Sequence, residues 1–193
     1  MLVSESHLEE IFDDIDDIEL GGTKDKIEVL QGRAQRHPVG SEARSSYLSI
    51  LGDHLQMDGR FDEARSAFEE VLASGHRPYQ HPLLALLDLD LETGRQAAAD
   101  QTLADLLALS RAGRLDAHEH HTIGESLELY GREVLAQRWF TIPLRDVDPD
   151  DLDGLHIGCL HGRFRVRREL GLPLDGYDRA SVELKKMYAE GRD

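Results

Sequence analysis

The residues best suited to chemistry in this chain of 193 residues are its ten histidines and its single cysteine. His118, His121 and Glu125 follow one another at i, i+3 and i+7, so on a helix they share one face. Two imidazoles and a carboxylate in that pattern form a donor set for zinc or another transition metal. His156, Cys159 and His161 form a second group, although helical spacing turns His161 partly away from the other two. Cys159 is the one thiol available as a nucleophile. A reactive thiolate needs a cationic, accessible setting, which His156, Arg163 and Arg165 would supply; the apolar stripe around Cys159 argues instead for burial. Arg163, Arg165, Arg167 and Arg168 are the only basic concentration. They suit an anion or phosphate, but the surplus of carboxylates points first to internal pairing. No glycine-rich phosphate loop, GxSxG, HExxH or CxxC motif is present. No catalytic residue and no cofactor is therefore assigned, and His118, His121 and Glu125 are the metal candidates of a secondary reading.

The charge balance narrows the partners. Thirty-eight acidic against 22 basic residues give a net charge of −16. Such a field repels phosphate backbones and anionic membrane surfaces over a Debye length of about 8 Å, so nucleic acid and membrane are not expected partners. No apolar run approaches the roughly 20 residues that span a bilayer. The opening stretch MLVSESHLEEIF lacks a basic region followed by an apolar one, so no secretory signal is expected. A lone cysteine leaves no internal disulfide and suits a cytoplasmic protein.

The elements that must position these residues read as helices throughout. Over residues 4–20, Leu8, Ile11, Phe12, Ile15 and Ile18 form one apolar stripe, while Asp13, Asp14, Asp16, Asp17 and Glu19 read as a solvated face. Gly21-Gly22 ends that helix and a second runs to about His37, before Pro38. From Ser41 to Gly75 two amphipathic helices meet at a turn, Asp58-Gly59. Leu48, Leu51 and Leu55 face Phe61, Ala64, Phe68 and Val71-Leu72, with Gly52 and Ala64 small enough for close backbone approach. A second unit carries Leu83, Leu86, Leu87, Gly94 and Ala99-x3-Leu103. A third, Ala117 to about Leu144, carries Ile123-Gly124-x2-Leu127, Gly131 and Ala136-x3-Phe140. The turn glycines Gly59, Gly94 and Gly131 are 35 and then 37 residues apart. After a polar break at Asp146–Asp151, a helix is expected over Leu152–Leu170 and a last one over Asp178–Glu190, the latter with Val182, Leu184, Met187 and Tyr188 apolar.

Leu48-x2-Leu51-Gly52-x2-Leu55 followed by Ala64-x3-Phe68 resembles the tetratricopeptide repeat of bacterial type, with Leu in place of both aromatics and Pro78 slightly late as the closing proline. The resemblance implies an all-α, right-handed solenoid of antiparallel helix pairs: an N-terminal pair or cap over 1–40, three repeats over 41–145 and capping helices over 146–193. The phrase GRFRVRRELGLP looks like the closing segment of bacterial repeat proteins that also carry a zinc-binding SEC-C tail; the cysteines of such a tail are absent, so no zinc role is carried over. In such arrays the first helix of each pair lines a concave groove, and the residue after the packing position points at the ligand. Those residues here are Asp53, Asp88 and Glu125. One turn further on stand Gln56, Leu91-Glu92 and Glu128, with His121 nearby. Chaperone-binding relatives use Lys and Asn at these positions; this groove is acidic. The resemblance thus implies a protein–protein interaction adaptor or regulator that binds a basic or cationic segment. A histidine-rich metalloprotein or enzyme using the His118/His121/Glu125 face, and a self-associating homo-oligomeric module, are the two alternatives.

Overall fold

The computed structural model describes residues 23–77 and 81–190. Among them 76% are helical and none forms a strand, as the apolar periodicity predicts. The acid-faced helix expected over residues 4–20 lies outside the described residues. The helices are α1 (Thr23–Gln35), α2 (Glu42–Met57), α3 (Phe61–Ser74), α4 (Pro82–Glu92) and α5 (Gln96–Arg111). There follow α6 (Ala117–Leu129), α7 (Glu133–Thr141), α8 (Ile157–Glu169) and α9 (Gly176–Glu190). Two compact units divide the chain, one ending at Thr102 and the other beginning at Leu103, so the division falls inside α5.

The first unit is built on the α2–α3 hairpin. Ser41 starts α2 by accepting the Arg44 N–H at 3.3 Å. Leu48, Leu51 and Leu55 are buried against Ala64, Phe68 and Val71, and Ile27, Leu30 and Ala34 of α1 join the same core. Leu72, next to Val71, is turned out to solvent. A side chain at Gly52 has no room, because its Cβ would lie 2.7 Å from Phe68 Cζ. Burying a phenylalanine stabilises by roughly 1.5–3 kcal/mol, and here that burial depends on glycine opposite it. The hairpin closes where Gly59 takes a left-handed φ of 75°. Its N–H reaches Gln56 O at 2.9 Å, and the next N–H, of Arg60, reaches Leu55 O at 2.8 Å. The same pair of bonds recurs at Gly94-Arg95, Gly131-Arg132 and Gly171-Leu172, closing α4, α6 and α8.

Helix α4 opens with Pro82 in its first turn and the His81 imidazole accepting the Leu83 N–H. At the position that Leu55 holds in α2, α4 carries Asp90. It is 1% exposed and forms a close ion pair with Arg65 of α3. A buried charge of this kind is tolerated only with its partner in place.

In the second unit, Asp116 and Glu119 form a reciprocal capping box at the start of α6. Phe140 of α7 is wholly buried between two glycines: a Cβ at Gly124 of α6 would lie 2.6 Å from its Cδ1, and one at Gly162 of α8 would lie 2.6 Å from its Cζ. Leu152–Gly154 forms a short 3₁₀ turn, so the helix expected from Leu152 begins only at Ile157. The cause is His156, which stands in extended backbone and caps the helix by accepting the Cys159 N–H at 3.2 Å. On α9, Leu184 is buried as expected, whereas Val182, Met187 and Tyr188 are exposed and Ala180 and Ser181 take the packed positions.

The arginine cluster is largely spent on internal carboxylates. Arg163, itself buried, donates to Asp178 at 3.0 Å and to Asp175 at 2.5 Å, and Arg167 donates to the other Asp178 oxygen at 3.0 Å. Arg163 also stacks over Tyr177, whose hydroxyl donates to Leu144 O at 2.7 Å. Charged groups thus lock α9 to α8 at the end of the second unit.

Candidate functional site

In the first unit, four of the sequence-predicted groove residues line one concavity of about 260 Å³: Asp53 and Gln56 of α2 with Asp88 and Glu92 of α4, bordered by the exposed Met57. Packing explains the arrangement. Gly52 in α2 and Leu87 in α4 are committed to the core, so the next residue on each helix, about 100° further round, emerges at the surface. Gln56 bridges the acids, its amide N–H₂ donating to Asp88 at 2.9 Å and to Glu92 at 2.7 Å. Asp53 keeps contact with water, yet the protein crowded around it and then the Asp88 charge push its pKa up to about 6. The site is therefore anionic and short of one proton near neutrality. A cation entering it would relieve the repulsion.

The remaining groove candidates, His121, Glu125 and Glu128, lie in the second unit. Glu125 and Glu128 line a concavity with Thr122, Ser126, Leu129 and Arg165. Arg165 of α8 engages Glu128 with two bonds, from Nε at 2.5 Å and from Nη2 at 2.6 Å. His121 Nδ1 stands 3.5 Å from Glu125. The sequence places Arg165 in a cluster expected to pair with internal carboxylates, but it does not single out Glu128 as the partner. The signal for that pairing lay in the register: Gly162 packs on the same Phe140 as Gly124, so the residues following it on α8 fall beside the acids of α6.

The metal candidates come out differently from a chelating set. The His118 and His121 rings are stacked, 6.4 Å apart between centroids, and His156 adds a third ring 6.1 Å from His121. Burial lowers the pKa of His121, with Glu125 opposing and His118 adding to the shift; burial and the neighbouring imidazoles lower that of His156. Among the described residues no group of three or more His, Cys, Asp or Glu side chains is arranged to hold a metal ion. Cys159 is fully buried and its thiol donates to Ala117 O at 3.3 Å. Burial, with Glu125 nearby, pushes its pKa up to about 12. That is the opposite of an activated nucleophile.

No family model, curated protein or solved structure matches this chain. Among the described residues no helix is long and apolar enough to cross a membrane.

Proposed function

We propose that the chain is a tetratricopeptide-like adaptor that binds a basic segment of a partner protein, and that the first unit's concavity is the point of contact. The carrying observation is that Asp53, Asp88 and Glu92 converge on one concavity with a neutral amide, Gln56, among them. An arginine or lysine side chain entering there gains three carboxylate acceptors, and the backbone segments on either side of it would lie along α2 and α4. Individual exposed contacts contribute little, about 0.2–1 kcal/mol each, so affinity comes from their convergence and from steering by the net charge.

The test is fluorescence anisotropy with a short labelled Arg-Ser repeat peptide, read at low and at high salt. The variant Asp53→Asn, Asp88→Asn, Glu92→Gln should weaken binding by about tenfold or more. The variant Asp146→Asn, Asp150→Asn, Asp153→Asn changes the net charge equally, on exposed residues of the second unit, and should bind nearly as the parent does. Equal weakening in both would mean that bulk charge, not the concavity, attracts the peptide. Light scattering of the protein alone separates this reading from self-association.

A further inference from the structure

The second unit carries a concavity of opposite character, about 400 Å³ in volume and lined by His161, Phe164, Arg165, Arg168 and Glu169 of α8 with Lys185 of α9. Arg165 is already engaged by Glu128, but Arg168 and Lys185 form no ion pair with any described residue. Both instead lie over the Phe164 ring, at 5.9 and 5.2 Å from its centre. A cation–π contact uses the ring-facing side of each cation and leaves N–H groups directed outward. In a chain with a charge of −16, these two exposed cations stand beside one aromatic ring and pair with no described carboxylate, not even Glu169 in the same lining, so both remain open to an anionic ligand. His161 adds an enclosed ring nitrogen, Nε2, that has no hydrogen-bond partner among the described residues, although the backbone of Ser181 contacts the imidazole and favours its charged form. Lys185 and Arg165 also make its surroundings positive, which, after burial, is what lowers its pKa.

We propose that this concavity binds a doubly charged phosphoryl group, with Arg168 and Lys185 as its charged donors and His161 as a neighbour that gains a proton when the anion is bound. Two acceptor charges match two unspent cations better than one carboxylate does, and the guanidinium presents paired donors to phosphate oxygens. Glu169 on the rim opposes bulk accumulation of anions and so favours a ligand that reaches both cations at once. The volume is that of a small-molecule site. The phosphoryl group is carried either by a small ester or by a phosphorylated side chain.

The experiment follows the His161 imidazole by NMR while inorganic phosphate is added to the full chain at fixed pH and ionic strength, with chloride as the balancing anion. Saturable shifts and a rise in the His161 pKa are expected. Arg168→Gln with Lys185→Gln should weaken phosphate binding by about tenfold or more, while the neighbouring Lys186→Gln, whose lysine faces Glu183, should leave it unchanged. Both variants exchange exposed groups, and circular dichroism confirms that they fold. A phosphoserine peptide that binds more tightly than inorganic phosphate assigns the site to a modified protein; equal or weaker binding assigns it to a small phosphate. Linear, unsaturable shifts, or phosphate binding that survives in the double variant, would overturn the proposal.

Discussion

The α2–α3 and α6–α7 hairpins solve the same packing problem in the same way and then present different surfaces. In each, a glycine lies under a phenylalanine sixteen residues later, Gly52 under Phe68 and Gly124 under Phe140. In each, the next residue is acidic. Around Asp53 the acids of the first unit share a neutral amide, whereas Glu128 is neutralised by Arg165 and Glu125 faces His121. The core side of such a helix is constrained by steric fit, which tolerates few substitutions. The solvent side is constrained only by what it touches, so one reach from the following helix converts an anionic hollow into a nearly balanced one.

The largest expected effect tests whether the two packing sites are equivalent. Phe140 is held between two glycines and has nowhere to retreat, whereas Phe68 meets one among the described residues. Gly124→Leu should therefore destabilise by about 3 kcal/mol and Gly52→Leu by nearer 1 kcal/mol. By thermal melting that is a drop of roughly 6–12 °C against 2–4 °C. Equal drops would show that Phe68 is confined as tightly as Phe140.

A smaller effect bears on the electrostatic difference. Arg165→Gln releases Glu128 and should make the second concavity resemble the first, strengthening basic-peptide binding by a few-fold, with less than about 1 kcal/mol change in stability. Unchanged peptide binding would mean that charge alone does not define the site.

The smallest effect is in pH, where the two units should move in opposite directions. The folded pKa of Asp53 is raised to about 6, so its contribution to stability is complete below the unfolded value near 4 and is lost as pH rises through 6. Asp53→Asn should stabilise the first unit at pH 7.5 by less than about 1 kcal/mol, water screening the exposed carboxylate, and by nothing at pH 4. His121 and His156 are lowered, so their contribution is complete above the unfolded value near 6.5 and declines as pH falls below it. Hydrogen exchange resolved by segment should show α6 and α8 opening more readily at pH 5.5 than at 7.5, with no such loss in α2 and α3. Parallel behaviour of the two units would remove the distinction.

What could be read from the chain beforehand was whatever depends on size at fixed spacing. Gly52, Ala64 and Phe68 announce a close hairpin because no larger set fits, and Asp53 and Asp88 follow by rotation about the helix axis. Partner choice among long charged side chains was not legible. Asp90 stands where a leucine would serve, and nothing local to it points to Arg65, 25 residues earlier. Arg165 finds Glu128 across 37 residues because two glycines press α6 and α8 onto one ring. His156 caps α8 through Nδ1 from extended backbone just after the Leu152–Gly154 turn, a role that the spacing of His156, Cys159 and His161 alone does not separate from metal ligation.

Cys159 has a consequence for anyone working with this protein. It is the single thiol in the chain, it is closed off from solvent, and its proton is held by a backbone carbonyl on the neighbouring helix. A disulfide reagent added in excess can reach it only when α8 lifts from α6. The rate of colour development therefore keeps time for that opening, a clock built into the second unit that needs no engineered label.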